Sequence, residues 1–123
     1  MIESVRISPA AREQLIVLKR RTGLKHWNEL ARWALCRSLA EPSRPADVSI
    51  AVEDGIEMSW KTFAGDSGDL YWALVQARCL RDGVPANTSA VAHQFRLHVH
   101  RGIGYLAGDK SLSDITTLLA LSE

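Results

Sequence analysis

The sequence predicts a mainly helical single domain in which a short N-terminal strand precedes the helices and a small β-hairpin lies in the middle. Three observations predict it. Apolar residues recur at helical spacing through most of the chain. Capping residues or Gly and Pro breaks punctuate those stretches. Strict alternation is confined to two places, near residues 2–8 and near residues 48–60. At 123 residues, with 46% apolar and 24% charged content, the chain fits one domain able to bury a core without disulfides or metals. Residues 1–44 form a strand-helix-helix half, and residues 45–123 a half made of hairpin or loop and C-terminal helices.

Each element has a local cause. Val5 and Ile7 alternate with Ser4, Arg6 and Ser8, the period-two mark of a half-buried strand. A strand this short needs a partner, from later in the chain or from a second subunit. Ser8-Pro9 supplies an N-cap and a proline at the first helical position, where its missing amide hydrogen costs nothing. The first helix runs from about Pro9 to Arg21, with Ala11, Leu15 and Leu18 facing inward. Thr22-Gly23 breaks it after a basic last turn. The second helix starts near Lys25 or His26 and ends near Ala40, before Pro42 and Pro45. Its stripe is Trp27, Leu30, Ala31, Ala34, Leu35 and Leu39. Trp33 falls off that stripe, so both faces are expected to be covered, which points to an oligomer.

In the C-terminal half, Val48, Ile50 and Val52, then Ile56, Met58 and Trp60, alternate around Glu53-Asp54-Gly55, a hairpin pattern. Asp66 or Ser67 is positioned to cap a third helix reaching Asp82, with Leu70, Leu74 and Ala77 as its inner stripe, joined by Tyr71 and Val75. Asn87 or Thr88 caps a fourth carrying Val91, Phe95 and Val99, which Gly102, Gly104 and Gly108 loosen or end. A short C-terminal helix capped by Ser113 or Asp114 is expected to hold Ile115, Leu118 and Leu119.

The net charge of +1 conceals an asymmetry. Residues 1–44 carry nine Lys/Arg against four Asp/Glu, whereas residues 45–81 carry three against six. One end is therefore suited to a polyanion. The opening residues lack a signal-peptide core, and no apolar run of about eighteen residues could span a bilayer, so the expected location is the cytoplasm with no membrane role. Cys36 and Cys79 fall inside predicted helices, where reduced, buried thiols are expected.

The basic excess is concentrated at one corner. Lys19, Arg20, Arg21, Lys25 and His26 crowd the turn between the first two helices, and Arg12 shares a face with Lys19, seven residues away. Such a cluster is a footprint for an extended anion, with nucleic-acid backbone the leading candidate. The alternative is a solvated turn that binds nothing. Other constellations are weaker. His93, His98 and His100 do not share a helical face, so they are read as surface residues beside Arg96 and Arg101, and no metal is expected. Gly102-Ile103-Gly104-Tyr105-Leu106-Ala107-Gly108 has the wrong spacing for a dinucleotide fingerprint and follows a helix. The acidic residues of the middle segment sit in turns. No cofactor and no catalytic residue is expected.

A strand, a proline-started helix, a basic turn and a second helix is the order of the ribbon-helix-helix fold, in which paired strands enter the major groove. Ser4, Arg6 and Ser8 would then face the bases, and a transcriptional regulator is one alternative function. A closer resemblance rests on VRIS, QLIVLKRRTGLKHWNELARWALCRSLAEPS, EMSWKTFAG, DLYWAL and QFRLHVHRGIGYLAG, which span Val5 to Gly108. Together these segments resemble the DndE family, the small component of bacterial DNA phosphorothioation systems. The resemblance implies a homotetramer that binds nicked double-stranded DNA. It would work with a cysteine desulfurase, an iron–sulfur protein and an ATPase that replace a non-bridging phosphate oxygen by sulfur. No catalytic residues are carried over. On this reading Lys19, Arg20, Arg21 and Lys25 contact phosphates, with Arg12 and His26 behind them. An assembly scaffold for the sulfur-transfer proteins is the other alternative.

Overall fold

The structure is a computed structural model and describes residues 1–109. The chain order is β1 (Ser4–Ile7), α1 (Pro9–Thr22), α2 (Trp27–Ala40), β2 (Ile56–Ser59), α3 (Trp60–Ala64), α4 (Gly68–Asp82) and α5 (Thr88–Gly108), with a single 3-10 turn at Gly65–Ser67. The mainly helical class with a strand-helix-helix start is as the sequence predicts. The expected helix at 113–119 lies outside the described residues.

The strand finds its partner within the chain. β1 pairs antiparallel with β2, Ser4 opposite Ser59 and Ile7 opposite Ile56. One edge of β1 is thus taken by a later segment of the same chain. Arg6 stands opposite Glu57, 3.7 Å from its carboxylate, in place of facing a groove. Only the second half of the expected hairpin is a strand; residues 48–52 run without regular structure. The reason is burial. Val5 and Ile7 are sealed against the helices, and the Trp60 amide donates to Glu3 O at 2.8 Å, so the sheet is closed by residues already committed to the core.

Trp60 does not extend β2 but opens α3, with the Ser59 hydroxyl accepting from the Thr62 amide. This turns Trp60 into an aromatic cluster with Phe63, Trp72 and Phe95, ring centroids 5.3–5.9 Å from Trp60. Stacked and edge-to-face contacts of this kind stabilise beyond the area they bury. α5 is the spine against which the other helices pack, α2 above all. It runs unbroken through Gly102 and Gly104. An added Cβ at Gly102 would meet Ala34 O at 1.7 Å, so glycine there permits the two helix backbones to approach closely.

The inner face of α4 keeps the expected Val75, with Tyr71 packed against the core, but is rotated away from the expected leucines and Ala77. Trp72, Val75, Arg78 and Cys79 are buried, while Leu70 and Leu74 are 58% and 42% exposed and Ala77 is exposed. Arg78 belongs inside because it holds α2 and the linker together. Its guanidinium pairs with Asp82 at 2.9 Å and donates to the carbonyls of Leu39, Glu41 and Ser43. Carbonyls at a helix end need such donors when they are buried.

Candidate nucleic-acid interface

The hinge between α1 and α2 is built by local rules. The Ser8 hydroxyl accepts from the Ala11 amide at 3.1 Å and Pro9 starts α1. At the other end Gly23 adopts φ 76°, and its amide donates to Lys19 O at 3.0 Å. That left-handed conformation is cheap for glycine and strained for any residue with a side chain. The Thr22 hydroxyl donates to Leu18 O and accepts from the Leu24 amide, which fixes the chain as it leaves the helix. α2 begins at Trp27 after His26, whose side chain makes no capping bond. The positive end of α2 therefore lies beside Lys25 and His26.

The six sequence-predicted residues divide. Arg20, Lys25 and His26 are exposed, and their side chains have no hydrogen-bond or ion-pair partner among the described residues. Lys19 lies over the Trp27 ring, its ammonium 4.1 Å from the centroid, which steadies the charge at the hinge. Arg21 donates through Nη1 to Ala107 O at 3.0 Å, so it ties the hinge to the last turn of α5. Arg12 stands apart, in the first turn of α1, with Glu13 at 3.7 Å and Asp54 O at 3.5 Å. Seven residues of helix put it about 10 Å along the axis from Lys19. The hinge thus gathers five cation-bearing side chains and leaves Arg12 outside. Lys25, His26, Trp27 and Asn28, with Ile56 and Met58 opposite, line an open recess of about 370 Å³ at this corner.

Sequence reasoning passed over a second group next to the hinge. Tyr105 on α5 carries the Arg37 guanidinium 4.7 Å from its ring centre and that of Arg101 at 5.7 Å. Arg101 also donates to Ser38 O, the Ser38 hydroxyl and Ser43 O, and so closes the C-terminal end of α2. The clue available in the sequence was the segment HRGIGYLAG, which carries the resemblance but not this pairing.

The histidines are not a surface set. His98 is fully buried with Nδ1 2.8 Å from the Ser38 hydroxyl, and Nε2 has no hydrogen-bond partner among the described residues. Burial, with the guanidiniums of Arg78 and Arg101, pushes its pKa down to about 4. His100 accepts from the Ser8 amide and donates to Arg96 O, and burial lowers its pKa as well. Of these three, His93 is the one whose side chain faces the surface, 2.7 Å from Asp47. Burial raises the thiol pKa of both Cys36 and Cys79, which disfavours the thiolate; Cys36 is exposed at the residue level, unlike the expectation for it. Among the described residues no cluster of three His, Cys, Asp or Glu side chains is placed to hold a metal ion, and no helix is long and apolar enough to cross a membrane.

Fold and site together define a small helical protein that presents a cationic helix-turn-helix corner, steadied by an aromatic ring and by the end of its longest helix. The chain belongs to the DndE family: the family model described as DNA sulphur modification protein DndE matches residues 4–114. Its fold is similar to that of DndE from Escherichia coli B7A, described as involved in DNA phosphorothioation modification. The TM-score is 0.71 at 21% identity, over 86% of this chain and 97% of that one. A DndE G21/24K mutant involved in DNA phosphorothioation is similar over the same shares, with TM-score 0.65 and 20% identity. No curated protein matches the chain.

Proposed function

We propose that this chain is the non-catalytic DNA-binding subunit of a cytoplasmic DNA phosphorothioation system and holds nicked double-stranded DNA by its backbone at the α1–α2 hinge. The observation that carries the reading is the exposed set Arg20, Lys25 and His26, flanked by Lys19 and Arg21, on one turn. Arginine grips a phosphate with two donors and lysine acts as a mobile point charge. The positive end of α2 adds to the same field. Backbone contacts need no base reading, and a nick makes the duplex easier to bend onto the corner. In a homotetramer the corner is repeated, and several modest contacts to one duplex sum to useful affinity where geometry lets them engage together. The other phosphorothioation proteins would meet the complex on that DNA.

The test is binding to one sequence as nicked and intact duplex over a salt series, with Arg20→Ala and Lys25→Ala alone and combined. Each lost phosphate contact lowers the log–log salt slope by about 0.9. The reading expects a preference for the nick and a flatter slope in the variants. Equal affinity for the two duplexes would refute the nick reading. A slope unchanged by the variants would move the function to the scaffold, which the exposed leucines of α4 favour.

A further inference from the structure

Two glycines of α5 have no packing explanation among the described residues. Gly102 is required by the backbone of Ala34, but a Cβ at Gly104 or Gly108 would meet no described residue within 4 Å. Glycine within a helix costs stability relative to alanine, so its presence in open space asks for another reason. Both glycines border one recess of about 430 Å³, which Arg37, Tyr105, Leu106 and Asp109 also line. That volume lies in the range of small-ligand sites. Tyr105 is 36% exposed, and Arg37 lies over its ring at 4.7 Å. The recess adjoins the cationic hinge, since Arg21 is bonded to Ala107, two residues beyond Tyr105.

We propose that Tyr105 and Arg37 form a stacking platform that receives the terminal base at a DNA nick while the hinge cations hold the adjoining phosphates. The inference rests on the reading of the chain as a nicked-DNA binder and says how the nick is sensed. A ring paired with a guanidinium plane offers a flat surface of the kind on which unpaired bases stack. A base inside an intact duplex is stacked on both sides and cannot use it. At a nick one backbone link is missing, and the terminal base can leave its stack at a cost the platform offsets. The missing side chains at Gly104 and Gly108 leave the room that a base needs.

The experiment compares nicked with intact duplex for the full chain and for Tyr105→Ala, Tyr105→Phe and Gly104→Leu, with each fold checked by circular dichroism. A second nicked duplex carries an abasic site in place of the terminal nucleotide's base. The expected result is that Tyr105→Ala and Gly104→Leu each lower the nicked-to-intact affinity ratio about ten-fold, the scale of one stacked base. Intact-duplex affinity and the salt slope stay unchanged, and Tyr105→Phe keeps the ratio. The abasic nick lowers the ratio as much for the native chain and adds no further loss in Tyr105→Ala. A native nick preference that Tyr105→Ala leaves intact overturns the platform and spares the function proposed above. Equal loss on both duplexes also overturns it, as a backbone or folding effect. No nick preference in the native chain overturns both readings.

Discussion

Replacing Gly102 by alanine should be severely damaging for a one-methyl change. The added Cβ falls 1.7 Å from Ala34 O, 2.4 Å from its carbonyl carbon and 2.8 Å from its Cα, all rigid backbone of α2. Ordinary contact therefore requires α2 and α5 to part by roughly 1.5 Å, and a gap of about 0.5–1 Å already forfeits a quarter to a half of a dispersion contact. The loss falls on the core: Leu30, Ala31, Ala34 and Leu35 of α2 and Phe95, Val99, Ile103 and Leu106 of α5 belong to one buried cluster. Overpacking of this kind costs about 3 kcal/mol. For a chain of this size that is roughly 12 °C in Tm, read by thermal unfolding with far-ultraviolet circular dichroism. Gly104→Ala, two residues along the same helix, is the control. It meets open space and should gain about 0.5–1 kcal/mol from helix propensity. If Gly102→Ala melts within about 2 °C of the native chain, the close approach of α2 and α5 is not what requires glycine there.

Acid should weaken the fold through its buried histidines. His98 stays neutral in the folded chain down to about pH 4, whereas the unfolded chain takes up that proton near the ordinary histidine value of 6.5. Stability is therefore full above about pH 6.5 and falls as pH drops toward 4, by about 3 kcal/mol from His98 alone. His100 acts in the same direction, and urea midpoints that do not fall between pH 7.5 and 4.5 would contradict both. Arg78→Met leaves Asp82, at 8% side-chain exposure, with only the 3.9 Å contact to Arg81, and takes the Arg78 donor from the Leu39 and Glu41 carbonyls, so roughly 3–5 kcal/mol should be lost in urea unfolding. Arg78→Lys should recover little of it, because one ammonium cannot reproduce the guanidinium fork. Leu70→Glu with Leu74→Glu, on the exposed stripe of α4, should shift the sedimentation coefficient to a smaller species without lowering monomer stability. An unchanged coefficient would place the subunit contacts elsewhere.

What was legible in the sequence was whatever is decided locally. Ser8, Pro9 and Gly23 fix both ends of α1 by rules that reach three or four residues, and α1 forms where they place it. α4 was harder because it has two apolar faces. Leu70, Leu74 and Ala77 make the cleaner stripe, but Trp72, Val75 and Cys79 are the side that packs, and Arg78 lies among them. Periodicity detects a face without saying which one turns inward. The carbonyls that call Arg78 inside lie 35–39 residues earlier in the chain. His98 has the same history: its partner Ser38 is 60 residues away, so helical angles between histidines could not reveal its burial. At the hinge the cluster itself was visible, but the division of labour within it was not, since Arg21 answers to Ala107 and Lys19 to Trp27.

That division matters for how function is assigned to the charge. Lys19, Arg20 and Arg21 occupy the last turn of α1, where cations offset the negative pole of the helix whether or not anything binds. Arg21 in addition joins α1 to α5. Part of the basic corner is therefore demanded by the fold and would persist in a protein that never met DNA. Lys25 is different: it stands beside His26 at the positive end of α2, where a cation is unfavourable for the helix, and among the described residues no acidic side chain pairs with it. A charge placed against the interest of its own helix is better evidence of an external anion than one that caps it. Arg21→Ala should accordingly lower Tm and DNA affinity together, whereas Lys25→Ala should lower affinity and leave Tm unchanged or slightly raised. If Lys25→Ala instead lowers Tm and spares affinity, the hinge charge belongs to the fold and the DNA contact must be sought on another face.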